Sequence, residues 1–191
     1  MPAPLLPRDQ VLAKIIDEFR HWGYDGTTLS RLSQATGLVK ASLYHYFPKG
    51  KPDMGRAVLR ALGDQIATLV LQPLAEEGSR EEKLARMNAG LLEFYAEGSA
   101  SCALEIFSLG TAKELFGEEV RQKMIGLRDA LAFFVVESGV DLATALKRAE
   151  YGVSLVQGSL IMARGLDDHR VFQRAVEALP GLLFPESSLA S

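Results

Sequence analysis

The stretch that decides the fold is residues 27–51, which reads TTLSRLSQATGLVKASLYHYFPKGK. Its apolar spacing and turn residues predict two short helices, over residues 28–36 and 40–47, separated by a turn that contains Gly37. Two short helices with this spacing have the size of a helix-turn-helix, whose second helix enters the major groove of DNA. The stretch therefore predicts a nucleic-acid-binding unit.

The segment before this stretch predicts one amphipathic helix. From Arg8 to Trp22 the apolar residues recur at spacings of three and four, and Gly23 is a natural end for the helix. Thr27 or Thr28 is then the expected N-cap of the next helix. Residues 1–51 thus predict a compact three-helix head.

Beyond residue 51 the pattern predicts about five or six longer helices. Ser79 and Glu82 form a capping box, and we expect further N-caps at Asp141 and at Asp167 or Asp168. No alternating strand pattern and no internal repeat is present. The predicted fold class is all-α. It comprises a helix-turn-helix head over 1–51, a connecting helix that starts at 52, and a helical ligand-binding and dimerisation domain over 52–191.

The charge is divided unevenly along the chain. Residues 1–51 carry seven basic and four acidic side chains, whereas the remainder carries 14 basic and 20 acidic ones. A basic head on an acidic body suits a protein that presents one face to phosphates. A positive excess of this size is also within the ordinary scatter of charge along a chain. It therefore indicates DNA binding only together with the helix-turn-helix motif.

Composition excludes several other kinds of protein. Apolar residues make up 48% of the chain, which is ample for a buried core. Cys102 is the single cysteine and forms no internal disulfide, and the three histidines lack the spacing of a metal site. There is no apolar run of about 18 residues and no secretory leader. We expect a cytoplasmic protein with no membrane partner, no metal and no cofactor.

The second predicted helix presents two different faces. Leu43 and Phe47 are four residues apart and point inward together. The other positions carry small or hydrogen-bonding groups that can reach phosphates or base edges. The candidate DNA-binding residues are Thr28, Lys40, Ala41, Ser42, Tyr44, His45, Tyr46, Lys49 and Lys51. Taken singly, the ring-bearing residues of this set could instead cover the edge of the core, and its last two lysines could be solvated loop charges.

Taken together, residues 27–51 resemble the DNA-binding signature of the TetR family over its full length, in the subgroup of LmrA- and YxaF-like regulators. The resemblance implies that Thr28 contacts a phosphate, that residues 40–42 face the groove, and that Tyr44 and Tyr46 bind the DNA backbone. Lys51 matches the closing lysine of the signature.

The chain departs from the family pattern in three places. Val39 stands where a serine commonly caps the recognition helix, and Tyr46 stands where histidine is usual. The segment 48–51 is one residue longer than the commonest form. These departures put the helix cap and one phosphate contact in question.

The resemblance further implies a homodimer that binds a palindromic operator in double-stranded DNA, represses transcription, and is released by a small hydrophobic effector. Small residues at Ala145, Ala149, Gly152 and Gly158 permit close helix approach in a dimer seam or, nearly as well, in a monomer core. The candidate effector-binding residues are Met87, Leu91, Phe94, Tyr95, Cys102, Phe107, Met124, Phe133 and Phe134, any one of which could be an ordinary core residue.

Two other classes of protein compete with a regulator. An enzyme is disfavoured because the sequence has no nucleophile elbow, phosphate loop or zinc-protease motif. A helical interaction module that has lost DNA binding would show the same helices. Cys102 is either a redox sensor or an inert buried thiol, and no basic residue near it in the sequence activates it. We predict a DNA-binding regulator that is not an enzyme, with activation left open beside repression.

Overall fold

The computed structural model describes residues 6–185, and all regular structure within them is helical. The all-α prediction is therefore confirmed. The α-helices in chain order are α1 (Arg8–Gly26), α2 (Leu29–Thr36), α3 (Lys40–Tyr46), α4 (Lys51–Ile66), α5 (Gln72–Ala75), α6 (Arg80–Phe94), α7 (Ala103–Ile106), α8 (Gly110–Val136), α9 (Leu142–Leu166) and α10 (Arg170–Leu183). A π-helix occupies Ala67–Leu71, and a short 3-10 helix occupies Ala96–Gly98.

Within residues 6–185, none of the helices combines the length and the apolar character that crossing a membrane requires. The first five residues, on which the expectation of no leader rests, lie outside the described part of the chain.

The chain forms two compact units. Of the described residues, one unit comprises 6–63 together with Ala103–Val120, and the other comprises Asp64–Cys102 together with 121–185. This division does not coincide with the sequence-based boundary after residue 51. The reason is that most of α4, residues 51–63, and the segment 103–120 belong to the first unit.

Aromatic rings fill that core. Phe107 packs edge-on against Phe19, with ring centroids 5.9 Å apart, and against Phe116 at 5.1 Å. Tyr24 meets Phe116 at the same separation of 5.1 Å. A Cβ on Gly55 would lie only 2.6 Å from the Phe116 ring, so α4 passes as close to this cluster as a glycine allows. The head is thus a packed domain that positions α2 and α3.

In the second unit the helices approach closely at small residues. Ala145 and Ala149 of α9 are fully buried, and a Cβ on Gly152 would lie 2.9 Å from the Leu179 side chain of α10. Three of the four small residues considered for a dimer seam therefore pack within their own chain. Gly158 differs, because within the described residues no heavy atom beyond its chain neighbours and its own helix backbone lies within 4 Å of the position of its Cβ.

Candidate functional site

The turn between α2 and α3 is held by side chains of the turn itself. The Thr28 hydroxyl oxygen accepts a hydrogen bond from the Arg31 backbone N–H (3.2 Å), as expected of an N-cap. Gly37 ends α2 in the left-handed conformation, with φ of 73°. The Ser33 hydroxyl donates to the Leu38 carbonyl across the turn. These local contacts set the angle at which α3 leaves α2.

Helix α3 is anchored on one side and exposed on the other. Leu43 is fully buried and Phe47 is 1% exposed, which confirms the inward face expected from their spacing. On the outward side Lys40, Ala41 and His45 are exposed, and Ser42 is half-buried. The exposed face therefore carries the three positions that sequence reasoning assigned to base reading.

The start of α3 has no side-chain cap. Val39 occupies the N-cap position, is 67% exposed and offers no hydrogen bond to the helix. The first backbone N–H groups of α3 are therefore left to water or to a ligand. This agrees with the expectation that the valine removes the usual serine cap.

The ring of Tyr44 lies over a glycine. Gly50 is buried with φ of 69°, and a Cβ there would lie 3.0 Å from a ring carbon of Tyr44. The Tyr44 side chain remains 45% exposed, so the ring is supported from below while its hydroxyl end can face solvent. Gly50 was not among the candidate DNA-binding residues. The positive φ of Gly50 and its close contact with the Tyr44 ring together explain why glycine is required at this position.

Two of the residues expected to contact DNA, Tyr46 and Lys51, have partners within the protein. The Tyr46 hydroxyl donates to the Leu6 carbonyl at 2.6 Å. The Lys51 ammonium lies 4.4 Å from the centroid of the Tyr24 ring, and burial lowers the pKa of Lys51 while the nearby charge of Asp25 opposes that effect. Lys49, in contrast, is exposed.

Arg31 is a basic residue of the head that sequence reasoning did not select. Its guanidinium lies 3.8 Å from the centroid of the Trp22 ring, and Trp22 is 45% exposed. Stacking on an aromatic face holds an arginine in a defined direction. Its place one turn after Thr28, at the start of a helix, is the signal that could have identified it.

The second unit contains a small apolar cavity. It is lined by Ile66, Val70, Met87, Leu91, Tyr95, Leu127, Leu131, Gly152, Val153, Val156, Gln157 and Leu179. The space open to the centres of water-sized spheres is about 20 Å³, which is enough for about one water molecule. The cavity as it stands therefore offers a space far smaller than a drug-sized ligand.

The structure separates the candidate effector-binding residues. Met87, Leu91 and Tyr95 line the cavity. Phe94, Cys102 and Phe134 are buried outside its lining, and Met124 is half-buried. The remaining two belong elsewhere, because Phe107 lies in the core of the first unit and Phe133 is 66% exposed.

Two consecutive hydrogen bonds link residues at the cavity wall to Cys102. The Gln157 amide donates to the Tyr95 hydroxyl at 3.3 Å, and that hydroxyl donates to the Cys102 sulfur at 3.7 Å. Cys102 is 2% exposed. The thiol is thus buried behind the tyrosine, as expected for the inert alternative.

The fold and the exposed face of α3 define a helix-turn-helix transcriptional regulator. Residues 11–58 match the sequence profile described as "Bacterial regulatory proteins, tetR family". Solved TetR-type structures match the fold over almost the whole chain. The segment 11–58 is thus similar to the DNA-binding region of the TetR family. This similarity supports a DNA-binding transcriptional regulator over an enzyme.

Three relatives show the extent of the similarity. The protein named "Uncharacterized HTH-type transcriptional regulator YxaF" from Bacillus subtilis (strain 168) is 29% identical over 77 residues, a stretch that spans only 40% of each chain. A TetR transcriptional regulator from Legionella pneumophila has a TM-score of 0.78 at 22% identity, covering 94% of this chain and 97% of that one. A TetR-family regulator from Agrobacterium tumefaciens has a TM-score of 0.75 at 22% identity, covering 91% and 95%. At this identity the structures establish the fold alone.

Proposed function

We propose that this chain binds a palindromic operator as a homodimer, represses transcription there, and releases the DNA when a small molecule enters the second unit. The observation that carries the proposal is the outward face of α3. Lys40, Tyr44 and His45 are exposed on a helix whose opposite side is anchored by buried residues. A polar helix face held rigidly in this way is what major-groove recognition requires.

The residues of the head divide into two roles. Residues 40–42, at the start of α3, read base edges, because the N-terminal part of a recognition helix lies deepest in the groove. Tyr44 and Lys49 bind phosphates beside it, and Thr28 adds a phosphate contact at the start of α2. The Thr28 oxygen that accepts from Arg31 leaves the hydroxyl proton available to donate.

The exposed face of α9 supports the dimer. Tyr151, Gly158 and Met162 are spaced by seven and four residues, so they share one side of the helix. Tyr151 is 62% and Met162 is 56% exposed, and the open glycine between them permits close helix approach. Two recognition helices on a two-fold axis would read half-sites about 34 Å apart.

The small size of the cavity in the second unit is consistent with control by a ligand. Its space holds about one water molecule, so any larger ligand must separate the helices that line it. A molecule that binds only the widened form shifts the protein toward that form. We propose that the widened dimer no longer matches the spacing of the operator half-sites.

The experiment is a fluorescence anisotropy titration with the DNA upstream of the protein's own gene, repeated over a range of salt. Binding should weaken steeply with salt, because each phosphate contact releases counterions. Lys49→Ala should weaken binding to all sequences similarly and reduce the salt slope by about one for each protomer bound. Lys40→Ala should instead reduce the preference for the operator over unrelated DNA.

The matched control is Lys113→Ala, which removes an exposed lysine that lies outside the helix-turn-helix. It should leave affinity and salt slope unchanged. Sedimentation velocity at the same protein concentrations measures the dimer directly. A wild-type protein with no preference for any upstream sequence, or a stable monomer on the operator, would rule out the proposed function.

A further inference from the structure

We infer that Val39 takes part in sequence recognition by packing its methyl groups against the 5-methyl group of a thymine in the major groove. This inference rests on the proposed function and adds a specificity-determining residue to those at positions 40–42. It also names one base that each half-site of the operator should contain. It follows from the exposure, the neighbours and the stiffness of this one side chain.

Val39 contributes little to the core of the first unit. It is 67% exposed, whereas Leu43 and Phe47, which anchor α3, are buried. It also offers no hydrogen bond to the helix that it precedes. Valine is among the poorest residues at such a position, where serine or threonine would cap the helix. The methyl groups of Val39 can therefore be removed without disturbing the packing that holds α3 in place.

The side chains around Val39 are polar. Val39 lies on an open groove between α2 and α3, and the other exposed side chains that line this groove are Ser30, Gln34 and Lys40. Each of these three can form a hydrogen bond to a phosphate or to a base edge, whereas Val39 can only contact an apolar group. The 5-methyl group of thymine is the apolar group that a base edge presents in the major groove. It is thus the part of operator DNA that Val39 matches.

The backbone fixes the position of Val39 relative to α3. Its carbonyl oxygen accepts hydrogen bonds from the backbone N–H groups of Ser42 (2.9 Å) and Leu43 (3.2 Å). Branching at Cβ restricts rotation of the side chain, so both methyl groups point in defined directions before DNA binds. The contact then costs little conformational entropy. A side chain held in this way can distinguish thymine from a base that lacks the 5-methyl group.

The thymine should lie beside the base pair that Lys40 contacts. Consecutive Cα atoms are about 3.8 Å apart and consecutive base pairs about 3.4 Å apart, so adjacent residues reach the same base pair or neighbouring ones. Lysine most often contacts guanine, through its O6 and N7 atoms. Each half-site should therefore contain a thymine within about one base pair of the position at which Lys40→Ala loses its base preference.

The test compares thymine with deoxyuridine, which differs from thymidine only by the missing 5-methyl group. The probe is the double-stranded DNA that the full wild-type chain selects from a random-sequence library. Each thymine is replaced by deoxyuridine in turn, at the symmetric positions of both half-sites, and affinity is measured by fluorescence anisotropy. At the thymine beside the Lys40 position, we expect affinity to fall about fourfold for each half-site, the effect of one buried methyl group, and about sixteenfold for both.

Three variants assign the effect to Val39. Val39→Ala should bind the thymine and deoxyuridine forms of that position equally. Leu109→Ala is the matched control, because Leu109 is 70% exposed and also directly precedes a helix, α8. It should keep the wild-type ratio of affinities. Val39→Ser should lose the preference for thymine while its Tm rises by about 2–4 °C, because the serine hydroxyl can cap α3.

Three results would overturn the inference. One is a wild-type ratio of affinities that persists in Val39→Ala. Another is a half-site in which no thymine responds to the loss of its methyl group. The third is a thymine preference that disappears only in variants whose Tm falls, because the loss would then reflect damage to α3 and not the loss of a contact.

Failure of this inference and failure of the proposed function give different results. If wild type selects a palindromic sequence but its affinity is insensitive to every deoxyuridine, operator binding stands and the role of Val39 is wrong. If wild type selects no sequence from the library, operator binding itself is wrong and the role of Val39 falls with it.

Discussion

Gly90 is the position at which one added carbon should most reduce the stability of the second unit. It lies in α6 against the π-helix Ala67–Leu71. A Cβ on Gly90 would lie 2.6 Å from the carbonyl carbon of Leu69 and closer still to its oxygen. These are backbone atoms, so no side-chain rotation can relieve the clash. Gly90→Ala must push α6 away from the π-helix.

The expected magnitude follows from two opposed effects. Replacing glycine by alanine in a helix interior stabilises the fold by about 0.5–1 kcal/mol, because the unfolded chain loses conformational freedom. Forcing an extra carbon into a packed contact costs about 1–3 kcal/mol, and more where backbone must move. We expect a net loss of about 2 kcal/mol. For a chain of this size that corresponds to a drop of about 4–8 °C in Tm.

The assay is thermal unfolding followed by circular dichroism, at one fixed protein concentration because a dimer's Tm depends on it. Gly126→Ala is the matched control. Gly126 is an exposed glycine inside α8, and no atom lies within 4 Å of the position of its Cβ. Gly126→Ala makes the same change in helix propensity without the clash, so the Tm of this variant should rise slightly. If Gly90→Ala also raised the Tm, the close approach of α6 to the π-helix would not exist in solution.

Two further predictions concern single side chains. The Asp141 carboxylate accepts a hydrogen bond from the Thr144 backbone N–H (3.0 Å), which lowers the pKa of Asp141 below its ordinary value. Because the pKa of Asp141 is lower in the folded state than in the unfolded state, this stabilisation is complete above about pH 4 and is lost as the pH falls through the folded pKa. The Tm of wild type should therefore exceed that of Asp141→Asn by less at low pH. A difference in Tm that does not vary with pH would contradict this prediction. Tyr46→Phe should weaken operator binding less than Tyr44→Phe, since the Tyr46 hydroxyl already donates to Leu6; equal losses by anisotropy would show that both hydroxyls reach DNA.

Features that depend on neighbours in the chain could be predicted from the sequence. The caps at Thr28, Ser79 and Asp141 all form with a residue three positions later, and each is present as expected. The inward face of α3 follows from a spacing of four residues. In such cases the physical cause lies within one helical turn, so the sequence contains it.

One local prediction offered two residues, Asp167 or Asp168, for the start of the last helix, and the structure distinguishes them. Asp167 is the left-handed C-cap of α9, with φ of 51°, whereas the Asp168 carboxylate accepts a hydrogen bond from the Arg170 backbone N–H (3.1 Å) at the start of α10. His169 precedes α10 without a side-chain cap. Aspartate is favoured at N-caps and is also one of the few non-glycine residues that tolerate the left-handed conformation. Residue type alone does not distinguish the two uses.

Contacts between distant segments could not be predicted. Phe107 was assigned to the effector site because it lies among C-terminal residues, but its partner Phe19 belongs to the first helix of the head. The Tyr46 hydroxyl was assigned to DNA, but its acceptor lies some forty positions earlier in the chain. Nothing in the spacing of either residue indicates such a partner. Only the packing of the folded unit brings these pairs together.

The cavity of the second unit shows which property of the sequence predicts its lining. Soft and aromatic residue types pointed to Phe133, which is 66% exposed, whereas the wall is built largely from aliphatic residues. Leu127 and Leu131 are four residues apart on α8, and Val153 and Gln157 are four apart on α9. Each pair lines one face of its helix, so helical periodicity carries the signal that residue type lacks. The same periodicity places Gln157, a polar residue, on an otherwise apolar face. A polar residue in that position requires a partner, and Gln157 has one in the Tyr95 hydroxyl, to which its amide N–H donates at 3.3 Å.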